Sequence, residues 1–153
     1  MRMRVDTKAY GIVEVDERQR ITLPQGLYGF EGLVDFLLMD ARQRPFYWLQ
    51  SLDEKDIAFV LIDPTVLRPD YDADIDPQDY EALGLDGAQD KRVLQFAIVT
   101  IPTGRQDMTV NFQGPIIINK ENRTCRQCIS RDERWHVRHN ILEEIALAGK
   151  NAC

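Results

Sequence analysis

Short runs of β-forming residues, each stopped by Gly, Pro or Asp, recur along the chain and leave little room for any other architecture. Gly11–Val15, Arg20–Leu23, Phe36–Met39, Phe46–Ser51, Ile57–Ile62, Val93–Ile101, Met108–Phe112, Ile116–Ile118 and Thr124–Ile129 follow one another at short intervals. Pro24, Pro64 and Pro102 close three of them, where a missing backbone donor ends a ladder. This pattern predicts an all-β, mainly antiparallel sandwich or barrel. In Val93–Ile101 both alternating sets of side chains are largely apolar, which predicts a central strand buried on both faces.

Two stretches carry helix signals instead. Asp76-Pro77-Gln78-Asp79 offers an N-cap carboxylate, a first-turn proline and a second acid, and Gly84 offers a stop, so a short helix is expected over Pro77–Leu83. Asn140-Ile141-Leu142-Glu143 resembles a capping box, with Ile141, Ile145 and Ala148 on one face and Gly149 as the end. Residues 143–153 are thus expected to be a tail or short helix appended to one domain spanning 1–142. No repeat or composition break suggests a second domain.

The longest uninterrupted apolar run, Ile57–Ile62, is far too short to span a membrane. Arg2 and Arg4 imitate the start of an export signal, but no apolar stretch follows them, so a cytoplasmic protein with reduced thiols is expected. A net charge of −6 argues against direct nucleic-acid binding and suits a basic protein partner.

Catalytic signals are sparse. There is no Gly-rich phosphate loop and no Gly-x-Ser-x-Gly elbow, and His139 beside Arg138 is more simply a structural hydrogen-bonding residue than a base. The chain is therefore expected not to be an enzyme and to need no cofactor. Cys125-Arg126-Gln127-Cys128 imitates half of a zinc site or a redox pair, with His136 and His139 nearby in sequence. Residues three apart on a strand point to opposite faces, however, so a metal or thiol-redox protein built on these four is the alternative reading. Asp70-x-Asp72-x-Asp74 with Glu81 imitates a calcium loop, but Ile75 stands where the turn requires Gly. Asp70 to Asp90 holds eight acids and no basic residue, which reads either as a solvated face or as a docking patch for a cationic partner. Phe46-Tyr47-Trp48 supplies enough ring area to line a groove for an apolar peptide, although alternation assigns one or two of the rings to the core.

Several of these words also resemble one family in their order. "GLYGFEGL" (26–33), "PFYWLQSLDEKDIAFVLIDP" (45–64), "DYEALGL" (79–85), "VTIP" (99–102), "MTVNFQGPIIIN" (108–119) and "RH" (138–139), with Thr7, Lys8 and Gly11 before them, are similar to the flagellar assembly factor FliW family. Tyr28 departs from the family pattern, where proline is usual, and Cys125 and Cys128 replace small or aliphatic residues. The resemblance implies a small closed or partly open β-barrel without catalysis. It also implies a protein that binds newly made flagellin near the end left unprotected before assembly. The second implied partner is CsrA, a small RNA-binding repressor of flagellin translation. Export of flagellin would free the protein to capture CsrA, a switch governed by mass action. Candidate partner-binding residues are Tyr47, Trp48, Asp70, Asp72, Asp74, Asn111 and Asn119, with a turn-holding role favoured for the two asparagines. In "NFQGPIIIN" the Gly114-Pro115 pair is expected to bend the chain before Ile116–Ile118 re-enters the sheet. A monomer is expected.

Overall fold

The structure, a computed structural model, describes residues 1–103 and 107–151. Among the described residues, ten strands and three α-helices follow one another, with one 3-10 turn (Glu17–Gln19) after the second strand: β1 (Arg2–Thr7), β2 (Gly11–Asp16), β3 (Arg20–Thr22), β4 (Asp35–Asp40), β5 (Tyr47–Ser51), β6 (Ala58–Ile62), α1 (Pro64–Leu67), α2 (Pro77–Ala82), β7 (Val93–Thr100), β8 (Thr109–Asn119), β9 (Thr124–Gln127), β10 (His139–Asn140) and α3 (Ile141–Asn151). Strands β3 to β9 form a closed seven-strand barrel, because β9 pairs with β8 on one side and with β3 on the other. Closure removes the sheet edges that would otherwise template aggregation. All neighbours are antiparallel except β3 and β9, which meet in parallel at Thr22 and Thr124.

Alternation along each strand sends one set of side chains inward. Phe36, Leu49, Leu61, Phe96, Ile116 and Ile118 belong to the interior cluster, each no more than 6% exposed. A fully buried side chain of this kind contributes about 1.5–3 kcal/mol. Leu27 joins them from the loop before β4, and that loop depends on Gly26. At φ +66° a Cβ on Gly26 would stand 2.6 Å from the backbone of Phe30 and Glu31, so only glycine fits. This is the physical content of "GLYGF".

The outward side chains are covered in three places. The β1–β2 hairpin lays Val5 and Val15 on Leu37 and Met39. Helix α2 sets Tyr80 against Ile117 and Cys128. A third layer joins Leu67, Tyr71, Phe112, Trp135 and Ile141 over Ala97 and Val99. Strand β7 is therefore central, with Phe96 facing the interior and Ala97 and Val99 facing the outer layer, as its sequence predicts.

Helix α2 begins where its signals place it: the Asp76 carboxylate accepts from Gln78 N at 2.9 Å, and Gly84 follows the helix at φ +72°. Helix α3 also starts as expected, with Asn140 Oδ1 accepting from Glu143 N at 3.1 Å. It runs past Gly149 to Asn151, so the expected stop is overridden. Ile145 is 53% exposed and does not share the inner side, which Ile141 and Glu144 form; the side chain of Ala148 lies outside the described residues.

"NFQGPIIIN" is one strand, not two. Gly114-Pro115 interrupts the pairing rather than the strand: Phe96 faces Ile116 and Ile98 faces Asn111, so β8 carries extra residues in a bulge. Within the bulge Phe112 N and Gln113 N donate to His136 O at 3.1 and 3.2 Å, and Gly114 N donates to Asn111 Oδ1 at 2.8 Å. Pro115 needs no donor there. A Cβ on Gly114 would stand 3.0 Å from the side-chain amides of Asn111 and Gln127, a tight contact to which both would have to give way.

Candidate functional site

Tyr47 and Trp48 are neighbours on β5 and so face opposite sides of the barrel wall. Tyr47 is half-buried against the interior cluster, its ring 5.0 Å from Phe96. Trp48 faces outward. Its Nε1–H donates to the Tyr10 hydroxyl at 3.1 Å, and the Arg42 backbone N–H donates to the same oxygen at 2.8 Å. With that polar atom satisfied, Trp48 lines an apolar groove of about 190 Å³ together with Ala41, Phe46, Val60, Ile101 and Met108. Ile101 is 58% exposed, which leaves the groove open to the surface. A second concavity, edged by Arg44, Pro45 and Tyr47, shares Ala41 and Phe46 with it.

The acidic candidates lie elsewhere. Asp70, Asp72 and Asp74 are exposed, while Tyr71 and Ala73 between them are buried and half-buried and Ile75 after them is buried, so the three carboxylates form one outward row. The row is not bare, as its local sequence suggests. Arg68 pairs with Asp70 at 3.1 Å, Arg131 with Asp74 at 2.9 Å, and Arg126 with Asp79 at 2.8 Å. The Arg68 guanidinium holds the Asp70 carboxyl below its ordinary value. Sequence reasoning missed these counter-ions, although one signal was present: Arg123, Arg126, Arg131, Arg134 and Arg138 follow the acidic stretch as its basic complement.

Asn119 offers no surface to a partner. It is 1% exposed, its Oδ1 accepts from Glu121 N at 3.0 Å, and its Nδ2 donates to Leu83 O at 2.8 Å. It fastens the β8–β9 turn to the end of α2. Asn111 is half-buried and orders the bulge through Gln113 N and Gly114 N, yet it also lines a mouth of about 360 Å³ floored by Leu27, Phe59 and Ile98.

The four Cys and His residues do not converge. Cys125 points into the barrel and Cys128 into the layer beneath α2, as strand alternation requires. Burial raises the Cys125 thiol well above its ordinary value and pushes Cys128 up to about 12. Neither is poised as a thiolate. His139 belongs to a third place, the corner beneath α3. Its Nε2 accepts from His136 N at 2.8 Å, which puts the proton on Nδ1, 3.2 Å from Glu144 Oε1. Glu144 is 5% exposed, and Arg68 reaches its other oxygen at 3.2 Å. Arg68 also lies over the Trp135 ring at 4.9 Å, and Trp135 Nε1 donates to Asp72 O at 2.9 Å. Desolvation lowers the His139 pKa, with Glu144 opposing it. This is the geometry of a structural fastening.

No described helix is long and apolar enough to cross a membrane. Residues 4–141 match the family described as FliW protein. A flagellar assembly factor FliW of Treponema denticola is 43% identical over 149 residues, covering 97% of this chain and 100% of that protein. One of Leptospira interrogans is 42% identical over 149 residues, covering 96% and 98%. The crystal structure of a flagellar assembly factor FliW superposes with a TM-score of 0.79 at 32% identity, covering 91% of this chain and 96% of that one.

Proposed function

The chain belongs to the FliW family of flagellar assembly factors, and from that premise we propose that it binds flagellin and the repressor CsrA in the cytoplasm, coupling flagellin synthesis to export. The observation that carries this reading is a surface divided between an open apolar groove at Trp48 and an outward row of carboxylates at Asp70, Asp72 and Asp74. The groove has the chemistry to take the apolar face of an amphipathic helix from flagellin. The row, on a chain of net charge −6, suits a basic RNA-binding protein, whose own cations would compete with Arg68 and Arg131 for the same carboxylates. No bond is made or broken in either event. Because the two surfaces are separate, exchange requires that occupancy of one lower the affinity of the other, and with that coupling the free concentration of flagellin sets how much CsrA is held.

Calorimetry with purified monomeric flagellin and purified CsrA from the same cell tests this. Both are expected to bind. Reversing Asp70, Asp72 and Asp74 to lysine is expected to weaken CsrA at least tenfold and to flatten its salt dependence, leaving flagellin unaffected. Wild-type protein that binds neither would overturn the reading, and unchanged CsrA affinity in the reversed variant would remove the acidic row from it.

A further inference from the structure

The two ends of the barrel differ in charge. At the end beside the β8 bulge, Asn111, Gln113 and Gln127 line the mouth over Leu27, Phe59 and Ile98, and no charged residue joins them. Leu94 and Ile118 pair at the far ends of β7 and β8, remote from Ile98 and Asn111. With Ile21 and Leu38 they floor a hollow of about 190 Å³ beside the β8–β9 turn, and all four belong to the interior cluster. The charged residues lining this hollow are Arg18, Lys120 and Arg123, with no carboxylate among them. Asp16 already holds Arg18 at 2.9 Å. Lys120 and Arg123 are exposed and lie within ion-pair distance of no described carboxylate, so two uncommitted cations stand over an apolar floor on a chain of net charge −6.

Arg123 is also an unexpected residue for its place. At φ +61° it is the only described non-glycine residue in the left-handed region, which side chains enter at a cost and glycine does not. The structural work of that position is done by backbone. Arg123 N donates to Asn119 O at 2.7 Å, and Arg123 O accepts from Thr22 N at 3.0 Å, tying the turn to β3. Glycine would make both bonds without strain. What arginine adds is a guanidinium beside the hollow, 3.4 Å from the Glu17 carbonyl that accepts from it. Strain kept in a surface turn points to a role for the side chain that causes it. We infer that this end of the barrel docks an acidic protein segment, which lowers one aliphatic side chain onto Leu38 and Leu94 and sets its neighbouring carboxylates on Lys120 and Arg123. The size of the hollow decides for a single side chain over a free small molecule, whose sites run from about 300 Å³ upward. The site shares no residue with the Trp48 groove or the acidic row and does not depend on which partners those take.

The probe is the peptide Glu-Glu-Leu-Glu-Glu, blocked at both ends and carrying a fluorophore, with Glu-Glu-Gly-Glu-Glu as its control without the anchor. Fluorescence anisotropy with the whole chain is expected to show saturable binding of the leucine peptide that weakens as salt rises. The control should bind about tenfold more weakly, the worth of one buried aliphatic side chain. Arg123→Gly is expected to lose about tenfold in affinity while its melting temperature stays level or rises, because glycine relieves the turn. Lys120→Glu, on the exposed turn, should lose at least as much, and Ile101→Asp at the Trp48 groove should change nothing. No binding, equal binding of the control, or binding that survives both Arg123→Gly and Lys120→Glu overturns the inference. So does a lowered melting temperature for Arg123→Gly, which would give the guanidinium a structural reason to be there. Sedimentation of the protein alone supplies the remaining arm: a dimer that Lys120→Glu dissolves would assign the hollow to a second copy and rule out a foreign segment.

Discussion

The inside of the barrel and the corner beneath α3 are built on opposite faces of the same strand, β7, yet they are held by different forces. Phe96 faces an interior cluster of apolar side chains, brought together by strand alternation. Ala97 and Val99 face a corner where Tyr71, Phe112 and Trp135 pack at ring separations of 4.8 to 5.5 Å around a buried carboxylate, an arginine and a neutral imidazole. The interior is tolerant in kind, since any well-sized apolar residue restores it. The corner is not: Glu144 is acceptable there only because Arg68 and His139 both meet it.

The largest effect should come from the interior. Phe36→Ala is expected to cost about 3–5 kcal/mol in urea unfolding, since a closed barrel cannot collapse onto the cavity. A smaller loss would mean that the barrel repacks and that the contrast is overstated. Next is Glu144→Ala, expected to cost about 2–3 kcal/mol, less than a fully buried pair because Arg68 retains some contact with water. Combining it with Arg68→Ala in a double-mutant cycle should show coupling well above the additive error, about 0.5 kcal/mol. Additivity would reduce the corner to aromatic packing alone.

The third prediction concerns pH. Burial holds the folded His139 below its ordinary value of 6.5, so the unfolded chain takes up the proton first. Stability should therefore fall as pH drops below about 6.5 towards the folded value, then stop falling on this account. His139→Gln should remove that slope between neutral and mildly acidic pH, while Phe36→Ala should keep it. The smallest effect belongs to the exposed row. Asp70→Asn should change stability by no more than about 0.5 kcal/mol, because its ion pair with Arg68 is open to solvent. A larger change would extend the corner outwards to the proposed CsrA surface.

Legibility in the sequence divides along the same line. The interior strands were visible because period-two alternation is a local property, and so were Asp76 as a cap and the opposed directions of Cys125 and Cys128. Gly114-Pro115 misled because a Gly-Pro pair can end a strand or bulge it, and only the backbone of His136, far along the chain, decides for the bulge. The Asp70–Asp74 row looked uncompensated because one counter-ion, Arg68, lies just before the acidic stretch and the other, Arg131, arrives from far along the chain. Ile101 gave no sign of its place in a groove, since exposure is not written in a residue's type.

What the sequence determined by itself was the set of strands, their inward faces and the membership of a family, all of which follow from short-range pattern and ordered words. The tertiary structure alone decided closure of the barrel through β3 and β9, the neutralising of the acidic row, and the meeting of Arg68, His139 and Glu144. It also decided that Trp48, Ile101 and Met108, from separate strands and loops, line one groove. The reason is physical: alternation acts between neighbours along the chain, whereas charge pairing and concavity depend on distance in space, which the fold sets only once the strands have closed.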